Sequence, residues 1–411
     1  KVTAMGVALT LLGAATAFGQ PPTAVSVAAA VAGIAVSGLE ITANRRRSAK
    51  TRFQRREADD YRDLLTEYEE AGLIIRTPRD VGVFMSRETA LLRTHAIRVE
   101  IDRRPFVLHP DIERFSLLFL ARRLREAVMF NGPALGLTSD VPATANGVAS
   151  LRPIRYYDFV ATNLLSPYDV NEVGRQEPVL RGRDLIFDSR GRLRSLSLSR
   201  LANTVGVSAL AFTRDGKLLL VCQTAGVAGS PGLIAPSGSG ALEPRDIPEG
   251  WPRGLRDIVL NGALRELREE CHLDPDDVEP DAEVIGYGRW VSRGAMPEFC
   301  AVALLRKTAD EVRRKRIRRD ERVYVGDILA VRLPSITDWA AVNPLELLPD
   351  PAHRHAASWP LAFSLACLVQ HLQDESWALG AELKRRLDDR PGPVPVPGDV
   401  PRQASPPASA T

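Results

Sequence analysis

The sequence predicts an α/β protein carried behind two apolar N-terminal segments, and three observations predict it. Val205 to Phe212 and Leu218 to Gln223 are apolar, β-prone runs on either side of Thr213-Arg214-Asp215-Gly216-Lys217, and Asp-Gly between such runs is a strong hairpin signal. A Gly/Ser-rich stretch, a helical pattern, three more strand-like runs and a closing helix follow this hairpin. Finally, the first forty or so residues are almost devoid of charge.

From Ala4 to Gly19 the chain is uncharged and largely apolar, and after Gln20-Pro21-Pro22 a second uncharged run extends from Thr23 to Leu39. Counted through Thr42, with Glu40 as its one acid, the second run is about the ~20 residues a helix needs to cross the hydrocarbon core. Arg45, Arg46, Arg47, Lys50, Arg52, Arg55 and Arg56 come next, a basic cluster of the kind that holds the adjoining end of a span in the cytoplasm. The expectation is a transmembrane helical hairpin over 1–44, with spans at 4–19 and 23–42, in a two-span protein of the cell membrane whose bulk is cytoplasmic. A secretory signal cleaved near Ala15-Thr16-Ala17 is the competing reading; it leaves the second run and its arginines unexplained. Whether Lys1 is the native start stays open.

Residues 45–150 read as a basic juxtamembrane and mainly helical accessory segment. It holds a charged helix near Glu57 to Ala71 and an amphipathic one near Pro110 to Phe130, where Ile112, Phe115, Leu118 and Phe119 form a packing face. Asn131-Gly132-Pro133 ends the second helix. Residues 151–199 form a strand-containing lead-in, with Asp184-Leu185-Ile186-Phe187 as one strand-like piece. The main domain spans 200–375. Its helix is expected over Leu255 to Cys271, its later strands over Val284 to Ser292, Phe299 to Leu305 and Val323 to Leu333, and its last helix near Trp359 to Gln373. The Pro-rich tail, 391–411, cannot bury a core and is expected to be disordered.

With 411 residues, 45% of them hydrophobic and 26% charged, the chain can bury a full core. A net charge of +3 argues against a nucleic-acid partner for the chain as a whole and directs attention to local clusters. Cys222, Cys271, Cys300 and Cys367 are far apart and lie in apolar runs, which suits reduced core thiols in a reducing compartment.

The chemistry concentrates in Arg265-Glu266-Leu267-Arg268-Glu269-Glu270. On a helix, Glu266, Glu269 and Glu270 stand at i, i+3 and i+4, so three carboxylates share one face. Leu260, Leu264, Leu267 and Cys271 have the spacing of a buried stripe opposite them. Hard oxygen donors of this kind suit Mg²⁺ or Mn²⁺, which retain waters and bind substrate phosphates. Arg265 can pair with Glu269 at i+4 and fix its orientation. The same run is also a good recipe for a solvated helix face, and its position after a hairpin and a Gly/Ser loop is what favours the metal.

Extended to Cys271-His272-Leu273, the segment resembles the core of the Nudix box, Arg-Glu-aliphatic-x-Glu-Glu-x-Gly-aliphatic, at eight of nine positions. The resemblance spans roughly residues 200 to 375. It implies an α/β/α sandwich with a mixed sheet, Mg²⁺ or Mn²⁺ as cofactor, and hydrolysis of a phosphoanhydride in a nucleoside diphosphate linked to another moiety. It further implies that Glu266, Glu269 and Glu270 are metal ligands, with Glu269 and Arg265 serving catalysis. His272 stands in place of the box glycine, Asp257 where an upstream glutamate is expected, and Trp251 where a leading glycine is expected. A glycine after the helix commonly takes positive φ, which His adopts only at a cost.

Glu298, expected in a loop before a strand, and Glu321 are additional candidates for the metal. The run Arg313-Arg314-Lys315-Arg316-Ile317-Arg318-Arg319 is flanked by Asp310, Glu311, Asp320 and Glu321 and reads as a solvated face rather than a phosphate cradle. The expected partner is a nucleoside-diphosphate-type small molecule; oligomeric state is left open. A second reading keeps the fold and has it bind such a ligand without turnover, as a sensor or effector signalling through the hairpin.

Overall fold

The computed structural model describes residues 50–126, 129–142, 144, 147–224, 232–250, 254–315, 325–334 and 339–388. The chain is a mixed α/β protein with several sheets, and it divides into two units. Unit one comprises residues up to Gly206 together with Ala241–Leu255 and Gly288–Glu298; unit two comprises Val207–Gly240, Arg256–Tyr287 and the chain from Phe299 onward.

Unit one begins with β1 (Thr51–Arg55), β2 (Ile74–Arg76), β3 (Val81–Phe84), β4 (Arg98–Ile101), β5 (Pro133–Leu137), β6 (Val148–Arg155) and β7 (Tyr168–Glu172). β1 pairs antiparallel with β7 and β2 with β3. A three-stranded sheet in the order β4-β6-β5 is parallel at its first pairing and antiparallel at its second. The segment expected to be mainly helical thus contributes five strands, β1 to β5, beside the helices Ser86–Thr94 and Pro110–Glu126. The latter buries Ile112, Phe115 and Phe119, as its spacing requires, and Phe119 meets Phe53 of β1 edge-on at 5.3 Å. Conversely, 184–187 is not a strand, for Arg183–Ile186 is a short helix. An apolar run of four residues carries no periodicity that separates the two states.

Unit two is built on β8 (Gly206–Phe212), β9 (Lys217–Gln223), β10 (Ile234–Ala235), β11 (Gly238–Ala241), β12 (Glu283–Trp290), β13 (Met296–Leu304) and β14 (Val325–Arg332); the ends of β12 and β13 belong to unit one, where Gly288 and Arg289 pair with β3. The expected hairpin is β8–β9, antiparallel through Phe212 and Leu218. β14 runs antiparallel along β9 from Arg332 to Val325, and β10 pairs with β9 at Cys222 and Val221. Flanked on both edges, Leu218, Leu219, Leu220 and Val221 are wholly buried. The helix Trp359–Leu372 is capped by Ser358, whose side chain accepts from the Leu361 N–H, and stacks Trp359 on Phe363 at 5.0 Å.

The transmembrane expectation is corrected. No described helix is long and apolar enough to cross a membrane; the most apolar one, Trp359–Leu372, has 14 residues, fewer than the ~20 a span requires. The two expected spans, 4–19 and 23–42, lie outside the described residues, and no described helix supports the two-span cell-membrane reading. The Pro-rich tail also lies outside the described residues.

Candidate functional site

The helix Leu255–Cys271 forms over the expected residues, but its buried face is turned from the expected one. Ile258, Val259, Ala263, Leu267 and Cys271 are wholly buried, whereas Leu260 and Leu264 are only half-buried. Two apolar stripes, one residue apart in the N-terminal half and converging at Leu267 and Cys271, compete on this helix. Sequence spacing admits either, and packing selects the stripe with the smaller residues. The turn of about 100° per position moves Glu270 from the open face to the border, where it is buried.

What packs against this border is β11, and the reason it can is glycine. A Cβ on Gly238 would lie 2.3 Å from the Leu267 nitrogen, and one on Gly240 2.1 Å from Glu266 Oε1. Backbone therefore approaches helix directly, the close approach for which glycine is suited. The intervening Ser239 N–H donates to Glu270 Oε2 at 3.2 Å. Behind it Ser237 is wholly buried; its hydroxyl accepts from Ala211 N at 2.8 Å and donates to Leu219 O at 2.5 Å, and its carbonyl accepts from Cys271 Sγ at 3.0 Å. The Gly/Ser run expected as a loop is thus a strand tied to β8, β9 and the helix. Burial, reinforced by the neighbouring Glu270 carboxylate, pushes the Cys271 thiol well above its ordinary value.

On the open side, Arg265 Nη1 donates to Glu266 Oε1 at 2.7 Å and to Glu269 Oε2 at 3.2 Å. The i,i+4 pair expected for Arg265 and Glu269 forms, and Glu266 joins it. Side-chain exposure rises from 9% at Arg265 through 14% at Glu266 to 28% at Glu269. The structure therefore brings Arg265, Glu266 and Glu269 together and fixes Glu270 one turn on against β11. Among the described residues no three acids, histidines or cysteines converge as a metal cage. Chemically the donors are hard carboxylate oxygens, the set that suits Mg²⁺, with two of them engaged by a guanidinium.

The helix ends in the left-handed region although His272 stands where the resemblance expects glycine. His272 has φ of +56°, and Leu273 N–H donates to Arg268 O at 3.1 Å, the 6→1 bond of a Schellman closure in which glycine usually holds the left-handed position. Asp257 is exposed in the first helical turn, nine residues from Glu266 and so roughly 13 Å away at ~1.5 Å per residue; it does not join the carboxylates. Glu298 is not in a loop. It lies in β13 within unit one, buried, with its Oε2 where a Gly206 Cβ would come within 1.8 Å. Trp251 and Glu321 lie outside the described residues, as do residues 316–319 of the basic run. Lys315, from the same run, is engaged by Asp274 at 2.8 Å and Asp277 at 2.5 Å. The sequence reading missed Ser237 and Ser239; the alternation Ser-Gly-Ser-Gly, which leaves one strand face without side chains, was the available signal.

Fold and site together define a mixed α/β protein in which a glycine-bearing strand lies on an acid-rich helix. No family model matches the chain, and no curated protein matches it. Among solved structures, the crystal structure of DR0079 from Deinococcus radiodurans is similar at 17% identity and a TM-score of 0.26, over 44% of this chain and 95% of that one. A TM-score of this size carries no argument about fold or function.

Proposed function

We propose that the protein hydrolyses a phosphoanhydride bond in a nucleoside diphosphate linked to another moiety, with Mg²⁺ or Mn²⁺ held by Glu266, Glu269 and Glu270. The observation that carries the reading is the placement of three carboxylates on adjacent turns of one helix, two held by Arg265 and the third by the Ser239 N–H. When bound, the divalent ion neutralises phosphoryl oxygens and lowers the pKa of the attacking water. Glu270, buried and hydrogen-bonded to backbone, is the rigid ligand. Glu269 is the most exposed of the three and the one able to accept a proton from water. Water oxygen bonds to phosphorus, the bond from that phosphorus to the bridging oxygen breaks, two phosphate-ended products leave, and the proton passes to Glu269. Arg265 orients Glu266 and Glu269 for this work, and little further covalent chemistry is needed from the protein.

The test is incubation of the full chain with Mg²⁺ and a panel of nucleotide sugars, dinucleotides and nucleoside triphosphates. Release of mono- or diphosphate products is expected, reduced at least ~100-fold by Glu269→Gln with an unchanged circular dichroism spectrum. Stabilisation by a nucleotide without turnover means binding alone, the sensor reading. If neither Mg²⁺ nor any nucleotide raises the melting temperature, the proposal fails.

A further inference from the structure

Unit one contains a cavity of about 520 Å³, within the ~300–1,000 Å³ of small-molecule sites, and its lining is chemically one-sided. Arg104, Arg152, Arg200 and His109 line it, and no acidic residue is among the described residues that do. The counter-charges stand behind the wall. Arg104 donates to both oxygens of Asp102, at 2.8 and 3.0 Å, and Arg152 donates to the same carboxylate. The two guanidinium groups, Arg104 first, hold the Asp102 carboxyl well below the usual range, so one carboxylate serves two cations and leaves a positive charge in excess. Arg200 meets Asp111 at 2.9 Å, and the same carboxylate lies 3.5 Å from His109.

The remaining lining is of two kinds. Thr138, Ser150 and Ser197 add hydroxyls, while Phe106, Val107 and Leu108, none of them fully buried, add apolar surface. Its frame is fixed by Asn203, which has φ of +50° and is buried. The Asn203 amide donates to Leu137 O at 3.1 Å and Leu196 O at 3.3 Å, and its carbonyl accepts from Ser199 at 2.8 Å. A non-glycine residue locked in the left-handed region by three bonds to cavity-lining segments is the kind of over-determined backbone found at ligand sites. Two guanidinium groups share one carboxylate, and their N–H groups in excess of it, beside hydroxyls, suit a phosphate group; the apolar part of the wall calls for a body attached to it.

We propose that this cavity binds a phosphomonoester of nucleoside size, its phosphate on the Arg104–Arg152 pair and its body against Phe106, Val107 and Leu108. The site is independent of the carboxylate helix and needs no metal. It is tested by calorimetric titration of the full chain in EDTA with AMP, adenosine and inorganic phosphate as probes. One AMP is expected to bind per chain, at least about tenfold more tightly than adenosine or phosphate, and Arg152→Gln and Arg104→Gln each weaken it about tenfold or more. Arg104 has 82% of its side chain exposed, so its replacement spares the fold. Glu269→Gln leaves AMP binding unchanged, which separates this site from the helix. Absence of AMP binding, equal binding of adenosine or of phosphate, or indifference to both arginine replacements overturns the proposal.

Discussion

Two alanine substitutions, two residues apart on β11, should have opposite consequences. In Gly238→Ala the new Cβ falls 2.3 Å from the Leu267 nitrogen and 2.4 Å from its Cα, against an ordinary contact of ~3.5–4.0 Å. Neither atom can rotate away, so strand and helix must part by more than ~1 Å. Overpacking of this kind costs about 1–3 kcal/mol, and the buried hydrogen bonds of Ser237 next door add about 1 kcal/mol if one is lost. A total near 3 kcal/mol moves the urea midpoint of the unit by roughly 1–3 M at typical slopes for small proteins. In Gly240→Ala the Cβ meets the Glu266 carboxylate, with Oε1 at 2.1 Å, the end of a side chain that can swing aside. Stability then falls by less than about 1 kcal/mol, but Glu266 leaves Arg265 and hydrolysis falls. Urea unfolding followed by circular dichroism, beside the hydrolysis assay, reads both. A Gly238→Ala midpoint within ~0.3 M of wild type, or a Gly240→Ala that is the less stable of the two, refutes the reasoning.

At His272, with φ of +56°, a side chain in the left-handed region costs about 1–2 kcal/mol, partly offset by the freedom glycine has when unfolded. His272→Gly should therefore exceed His272→Ala in stability by about 1 kcal/mol, measured by thermal unfolding; equality of the two would mean that the conformation carries no strain. Glu382 is held down from 4.5 to about 2, chiefly by Arg385 and then by Arg386, at 2.7 and 2.8 Å. Because the folded value is depressed, this contribution is present above pH 4.5 and lost as pH falls toward 2. The melting-temperature difference between wild type and Glu382→Gln should shrink over that window. At a partly exposed pair it stays small, and a difference that grows on acidification rules out the assignment.

Legibility in the sequence tracked the strength of local signals. Asp215-Gly216 placed the β8–β9 hairpin because the turn and both apolar runs agree. Leu255 to Cys271 was legible because its apolar spacing persists over many turns. Rotation of that helix was not legible, since Leu260 and Leu264 are as apolar as Val259 and Ala263 and only tertiary packing decides. Strands such as β1 and β4, with Arg-Val-Glu-Ile at 98–101, are short and charged, and they pair with β7 and β6, remote in sequence. Glu298 illustrates the same limit. Met-Pro-Glu-Phe reads locally as a strand entry, yet the strand begins at Met296 and buries the acid beside Gly206.

The arrangement of Arg265 bears on how the proposed metal would enter. Carboxylates at i, i+3 and i+4 repel, by about 0.2–0.5 kcal/mol per neighbouring pair on an exposed helix and by more where burial lowers the effective dielectric. Arg265 offsets this by bonding to Glu266 and Glu269 at once, while the Ser239 N–H takes one oxygen of Glu270. The acid cluster is thus held by partners within the chain itself. Binding an ion there would be an exchange in which the guanidinium gives up two carboxylates, so affinity would be set by the difference between two sets of contacts rather than by the new set alone. The released guanidinium would then be available to an anionic diphosphate, for which a fork of N–H donors is suited. Arg265, which restrains the acid cluster, would then become a substrate contact of the proposed reaction, joined to the chemistry through position rather than proton transfer.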